Sequence, residues 1–472
     1  MSWRVIRQAF ANRDMRKRIF IVVALIIVFR FLAHIPIPLA EPTQLRQLLN
    51  NLFDGQQLLG FLDLISGGAL SNFSIMLLGL GPYINASIIT QLLSKAIPRL
   101  EALSKEGEGG RRKINQYTRI LALPLAVMQS IGLIFLVRQQ ASAVSGVDIT
   151  AGADLTQWIL MVASLTGGAM LLMWLGELMS EQGVGNGISV LIFVGIVSQM
   201  PSIIGTLLSS VIGQGAQFAV FNQFTLPING RGALFVLGLG AISLIMIFLV
   251  VKLNEAQRIL TVSYAKRVRG NRAYGGVNTV LPIKLITAGV IPVIFASAFL
   301  AVPAFLGQLL LNASSESLVN LGQNLIDWFA MPGSTPATSN SVNYIYTSVY
   351  FGLVVMFTYF YTSIMFDAKE IAENLQKQGG FIAGIRPGQQ TESYLRKVVT
   401  RLTLFGSIAL GLLAISPYII DAFVITFNLS TTPISTQLNL GGTGLLIVVS
   451  VALETLRQIE SRALMVTYDT PE

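Results

Sequence analysis

The chain of 472 residues contains no cysteine and a single histidine, His34. The first absence excludes a disulfide framework and a thiolate metal site. The second excludes the zinc-protease arrangement, which needs two histidines one helical turn apart with a glutamate between them. Charge is also scarce: Asp, Glu, Lys and Arg supply 12% of the residues while 53% are apolar. Soluble domains carry about 25% charged residues, so the composition defines a polytopic membrane protein. Acids are missing where ion-coupled transporters keep them. None lies near the middle of an apolar run, Glu177 and Glu454 standing near run ends, and a carboxylate in hydrocarbon is costly enough to be retained only for a task. The glycine run "GVGNGIS" from Gly183 to Ser189 has neither a preceding strand nor the P-loop lysine, and reads as a tight turn between spans.

What is present is a succession of apolar runs. Windows of about 19 residues give ten spans near 19–38, 74–93, 119–138, 155–176, 186–206, 232–252, 284–306, 342–365, 402–420 and 441–461. No small-residue cleavage site follows the first, which therefore reads as a retained span. Of the 32 Lys and Arg residues, all but Arg30, Arg46, Arg138 and Arg231 fall on one side if the N-terminus is cytoplasmic. That asymmetry predicts both termini in the cytoplasm. It also accounts for the net charge of +9 through topology, with no specific nucleic acid as partner. Two cytoplasmic loops, 253–282 and 367–400, exceed the length of connectors and are candidate docking surfaces.

The stretch "ISGGALSNFSIMLLGLGPYINASIITQLLS", Ile65 to Ser94, is too long for one span of about 20 residues and too short for two. In its second half Ser87, Thr90, Gln91 and Ser94 share one helix face, which is either a helix–helix interface joined by hydroxyls or the wall of a polar cavity or gate. Its first half belongs to "FLDLISGGALSNF", Phe61 to Phe73, whose Asp63, Asn72 and paired glycines do not suit a lipid-facing position. This segment is either a re-entrant element surrounded by protein or a surface loop with one amphipathic turn.

At these residues the chain resembles the SecY family, the channel subunits of the bacterial Sec protein translocon. The likeness runs in order through "FRFLAHIPIP", "SGGALSNFSIMLLGLGPYINASIITQLL", "EGEGGRRKINQYTR", "MWLGELMSEQGVGNGIS", "SYAKR", "AGVIPVIFAS", "GGFIAGIRPGQQT", "TRLTL" and "GGTGLLIVV". The resemblance implies an all-α fold of ten transmembrane helices in two pseudo-symmetric five-helix halves, 1–210 and 211–472, closed like a clamshell around an hourglass pore. It makes 61–73 a plug, with Phe61, Leu64, Ile65, Gly67, Gly68, Leu70, Asn72 and Phe73 as its residues. The family's pore ring falls on Leu80, Ile84, Ile188, Ile192, Ile294 and Ile447. A collar of branched aliphatics can dewet a constriction and hold a threading chain without reading its sequence.

The resemblance further implies a lateral gate between spans 2/3 and 7/8, with Ser87, Thr90, Gln91, Gln129, Ile286 and Thr287 along it. Where many members carry Asn before "AGVIP", this chain has Ile286 followed by Thr287, so the usual polar gate residue is replaced. Insertion scales credit an apolar residue with about 0.3 to 0.6 kcal/mol at the bilayer centre and charge a Lys or Asp about 2.5 to 3.5, so a run of about ten to fifteen apolar residues is enough to favour exit into lipid. The long loops would dock a SecA motor or a ribosome through Lys266, Arg267 and Arg386. The remaining implied partners are SecE and SecG, signal sequences, nascent polypeptides and membrane lipids. The implied site is the cell's inner (plasma) membrane. The chain has no ATP-binding motif, and neither cofactor nor catalysis is implied; translocation energy comes from a partner or the proton-motive force. The competing class is a small-solute secondary transporter with a five-plus-five repeat, followed by a serine-based intramembrane hydrolase.

Overall fold

The computed structural model describes residues 12–37, 68–69, 73–145, 154–211, 218–220, 224–226, 230–264, 267–269, 272–274, 278–311, 315–329, 344–426 and 444–469. In chain order the helices of the first part are α1 (Arg13–Leu32), α2 (Gly81–Ala96), α3 (Pro98–Lys105), α4 (Glu108–Ser145), α5 (Leu155–Gln182) and α6 (Gly187–Val211). Those of the second part are α7 (Gly230–Glu255), α8 (Ile291–Leu310), α9 (Glu316–Phe329), α10 (Tyr344–Met365), α11 (Ala368–Lys377), α12 (Gln389–Thr426) and α13 (Leu445–Asp469). Each of the ten sequence windows holds one of α1, α2, α4 to α8, α10, α12 and α13. Six of the regions covered, in α4, α5, α6, α7, α10 and α12, are long and apolar enough to cross a membrane by length and composition.

Local chemistry sets the ends. The Asn12 side chain accepts the Asp14 amide at 2.9 Å at the start of α1, and Asp367 accepts the Lys369 and Glu370 amides at the start of α11, each supplying an acceptor for helix-end donors. Helix α5 stops at Gly183, whose φ of 66° is the left-handed cap that glycine adopts without cost. The guanidinium of Arg462, from α13, lies against this glycine, and Arg18 of α1 donates to the Gln182 carbonyl at 3.3 Å. Two cations from the first and last helices thus sit at the negative end of α5. Within the bundle, Arg30 of α1 donates to Ser198 Oγ of α6 at 2.9 Å, so the charge expected inside the first span is met by a neighbouring helix.

Two windows begin well ahead of their helices. The second begins at 74, yet 73–80 is a series of turns and α2 starts only at Gly81 with Pro82 in its first turn. Hydropathy counts the apolar "SIMLLGL" without registering the positive φ of Phe73 (45°) and Gly79 (56°). The seventh begins at 284, whereas Lys284 ends a strand and α8 starts at Ile291 after a turn through Gly289.

The all-α expectation describes the membrane part. Outside it the two long loops fold together. Strand β3 (Gln257–Tyr264) pairs antiparallel with β6 (Asn278–Lys284) on one side and with β7 (Gly380–Ile382) on the other, in register Leu260 with Leu281 and Val262 with Ile382. Between β3 and β6 lies the short ribbon β4 (Arg267–Arg269) with β5 (Arg272–Tyr274); β1 (Phe218–Val220) and β2 (Phe224–Leu226) form another between α6 and α7. The three-stranded sheet has a small core of its own, in which Leu260, Val262, Ile283 and Ile382 pack against Leu395 and Val398 of α12. A larger apolar cluster fills the bundle from α1 to α13.

Candidate functional site

The six aliphatics expected in a pore ring all belong to that larger cluster, Ile188 partly buried and the others buried. They arrive from four helices, each within its first two turns: Leu80 and Ile84 at the start of α2, Ile188 and Ile192 in α6, Ile294 in α8 and Ile447 in α13. No window score marks this, because a hydropathy average is blind to where a helix begins. Helix α8 packs against both α2 and α4, and α6 packs against α13 and α7, so the cluster is closed by contacts between the first and second parts of the chain.

Of the expected plug, Phe61, Leu64, Ile65, Gly67, Leu70 and Asn72 lie outside the described residues. Gly68, Ala69 and Phe73 are described, Ala69 and Phe73 being buried. The turns that follow are fixed to the end of α1. The Ile37 amide donates to the Phe73 carbonyl at 2.9 Å, Ile75 donates back to Ile35 at 3.0 Å, and the Ser74 hydroxyl donates to the Leu32 carbonyl at 2.9 Å. On the other side Gly168 of α5 sits so close to the Ile75 carbonyl that a Cβ would overlap it. Sequence reasoning missed Ser74 and Gly168; the available signal for the second was the "TGG" at 166–168 inside an apolar span, since small residues permit close backbone approach.

Along the expected gate, Gln91 Nε2 donates to Ser87 Oγ at 3.0 Å, and Ser94 donates to the Gln91 carbonyl at 2.7 Å. Ser87 therefore takes one hydrogen of the Gln91 amide along α2, while Thr90 is buried. Gln91 Oε1 is buried without a hydrogen-bond donor among the described residues. Gln129 of α4 reaches Gly81 at the start of α2. Ile286 and Thr287 precede α8 and take no part in its helix. Ile286 is buried beside Gly406 of α12, and the Thr287 hydroxyl donates to the Lys284 carbonyl at 3.2 Å.

On the expected docking face, Lys266 lies outside the described residues and Arg267 opens β4 opposite Tyr274. Arg386 is exposed in the turn between β7 and α12, and its carbonyl accepts the Thr391 hydroxyl at 3.0 Å. At the end of β6, burial pushes the Lys284 ammonium below its ordinary range; neighbouring Arg457 adds to this and Glu454 opposes it. Among the described residues no group of three or more His, Asp or Glu could hold a metal ion.

A sequence model of the SecY family matches residues 74–456. The protein translocase subunit SecY of Corynebacterium glutamicum is 40% identical over 466 residues, 98% of each chain. That of Mycobacterium tuberculosis is 38% identical over 460 residues, 97% of this chain and 96% of its own. Among solved structures the fold matches a protein conducting channel at a TM-score of 0.61, with 18% identity over 93% of this chain and 90% of that one. It also matches a SecY protein whose plug domain stabilises the closed state of its channel, at 0.58, with 18% identity over 94% and 90%. A third match, at 0.56 with 18% identity over 93% and 90%, is the channel of a canine ribosome-channel complex from the endoplasmic reticulum. Fold and relatives together define a multi-pass membrane protein of the protein-conducting-channel class. The chain belongs to the SecY family of protein translocase subunits, a family of channel subunits.

Proposed function

We propose that this chain is the passive conduit of a Sec translocon: unfolded secretory polypeptides pass through a collar of Leu80, Ile84, Ile188, Ile192, Ile294 and Ile447, and transmembrane segments leave sideways into lipid. The observation that supports this reading is that all six side chains, from four helix starts, belong to the one apolar cluster that fills the bundle. Such a collar seals against water when empty and makes no sequence-specific hydrogen bond to what threads it. The test is a stalled secretory chain with photo-crosslinking probes at Ile84, Ile192 and Ile294; we expect adducts at all three, and none at any of them would remove the collar assignment.

In the same reading the two halves, 1–210 and 211–472, are hinged as a clamshell, and segment 61–73 is a plug rooted in the turns at 73–80. Deleting 61–73 should then raise ion leakage through the resting channel, measured as conductance in planar bilayers; an unchanged baseline would make the segment a plain loop. Lateral exit lies between α2 with α4 and α8 with α10. The contact of α8 with α2 and α4 supports a gate closed along that line, with Ser87, Thr90, Gln91 and Gln129 on its first wall. Ile286 and Thr287, in the turn that leads into α8, belong to its second wall.

The sheet uniting loops 253–282 and 367–400 is the docking face for a SecA motor and a ribosome, with Lys266, Arg267 and Arg386 as its charged contacts; the canine ribosome-channel relative supports the second partner. SecE and SecG complete the complex. The excess of basic residues on this side supports cytoplasmic termini and residence in the inner (plasma) membrane. The chain itself catalyses nothing and takes its energy from these partners.

A further inference from the structure

Helix α9 has no role in the conduit. Its sequence, "ESLVNLGQNLIDWF", divides around the helix into three faces. At about 100° per residue, Leu318, Leu321, Leu325 and Trp328 fall within an arc of about 80°. Gly322 and Ile326 lie on one flank of that arc, and the exposed Glu316, Asn320, Gln323 and Asp327 lie opposite it.

The flank carrying Gly322 is occupied by α8. Helices α8 and α9 form a tight hairpin whose crossing point is a pair of glycines: a Cβ on Gly307 would stand 2.8 Å from the Gly322 carbonyl, and one on Gly322 would stand 2.7 Å from the Gly307 carbonyl. Among the described residues nothing covers the apolar arc itself, Leu318 being 43% and Leu321 48% exposed. It continues a second exposed surface. On α8, Phe299 (50%), Val302 (43%) and Leu306 (49%) follow i, i+3, i+7 spacing up to the glycine crossing, and on a membrane-embedded helix such a stripe faces acyl chains.

We propose that α9 is an interfacial membrane anchor: it lies in the plane of the leaflet farther from the β-sheet, with Leu318 and Leu321 in the acyl boundary and the Asn320 face in water. Continuity with the α8 stripe selects lipid as the occupant. A helix with one apolar arc, one strongly polar face and a terminal Trp is the pattern that settles at the headgroup level. With Glu316 and Asp327 and no basic residue, its binding comes from apolar burial and not from anionic headgroups. The anchor holds the end of α8, a helix of the proposed gate, and so ties that helix to the surrounding bilayer.

The chain has no cysteine, so single thiols report without background. Leu318→Cys, Leu321→Cys, Asn320→Cys and Gln323→Cys, each carrying an environment-sensitive fluorophore, are reconstituted in phosphatidylcholine vesicles with and without bromine on the acyl chains near the headgroup. We expect bromolipid to quench the 318 and 321 labels several-fold more than the 320 and 323 labels, and aqueous iodide to do the reverse. Equal iodide quenching at all four positions would put the helix in water and overturn the anchor. Labels at 318 and 321 shielded from both quenchers would mean a protein covers the arc, a partner or a second copy, and would overturn it equally. Using two positions per face keeps the result readable if one variant misfolds.

Discussion

Replacing Gly168 with alanine is expected to give a channel that leaks ions at rest and unfolds at lower temperature. The added Cβ has to overlap the Ile75 carbonyl, and the obstacle is main chain that cannot rotate away. Either α5 backs out of the bundle or the turns at 73–80 are displaced. Those turns are held to α1 by the Phe73, Ile75 and Ser74 hydrogen bonds and lead directly into Leu80, so displacement reaches both the proposed plug root and the collar. Overpacking of this kind costs about 1 to 3 kcal/mol; the backbone contact places Gly168 at the upper end. The neighbouring Gly167 is the control, since nothing lies within 4 Å of where its Cβ would be, and Gly167→Ala should match the parent. Single-channel recordings and thermal melts on both variants check this. A Gly168→Ala protein that stays closed and melts with the parent would mean the close approach is not needed for the seal.

Reversing one charge on the docking face should have a comparably large effect without touching the membrane part. Arg386→Glu is expected to lower motor-dependent translocation on the order of tenfold or more, the scale of a charge pair turned from attractive to repulsive at an interface. The Arg386 side chain is exposed, and the local fold is set by its carbonyl and Thr391, so the amount of assembled complex should be unchanged. Translocation of a reporter preprotein into inverted vesicles, with complex quantified in parallel, separates the two effects. Normal export would remove Arg386 from the docking role, and loss of assembled complex would recast it as a structural residue.

Ten apolar runs were enough to read the bundle, because lipid admits few alternatives to the helix. The break before the second span was also legible in Gly79, Gly81 and Pro82, although the apolar "SIMLLGL" disguised how much of that window is turn. What stayed hidden depends on partners distant in sequence. Nothing in loop 253–282 announces that Val262 pairs with Ile382; that register is settled by a shared core with Leu395 and Val398 of α12. The contact of Arg462 with Gly183 joins residues from the two halves of the sequence, and the glycine alone signals only a turn. For the collar, the resemblance supplied the six aliphatics, while composition could not separate them from other Ile and Leu residues. Their positions at helix starts came only from the folded chain. Helix α9 was missed because the window search looks for spans, and a short amphipathic helix averages to a weak signal.

Because β3 is hydrogen-bonded to β6 on one edge and β7 on the other, a load applied to either docking loop is borne by both. Strand β6 passes that load onward over a short path, through the turn at 285–290 into the opening turns of α8, where Ile294 sits. The Leu285 carbonyl is braced against Gly406 of α12, which gives the turn a fulcrum. On the proposed docking, a motor or ribosome pressing on the sheet would work a treadle, and the proposed collar would be eased open by a partner that never enters it.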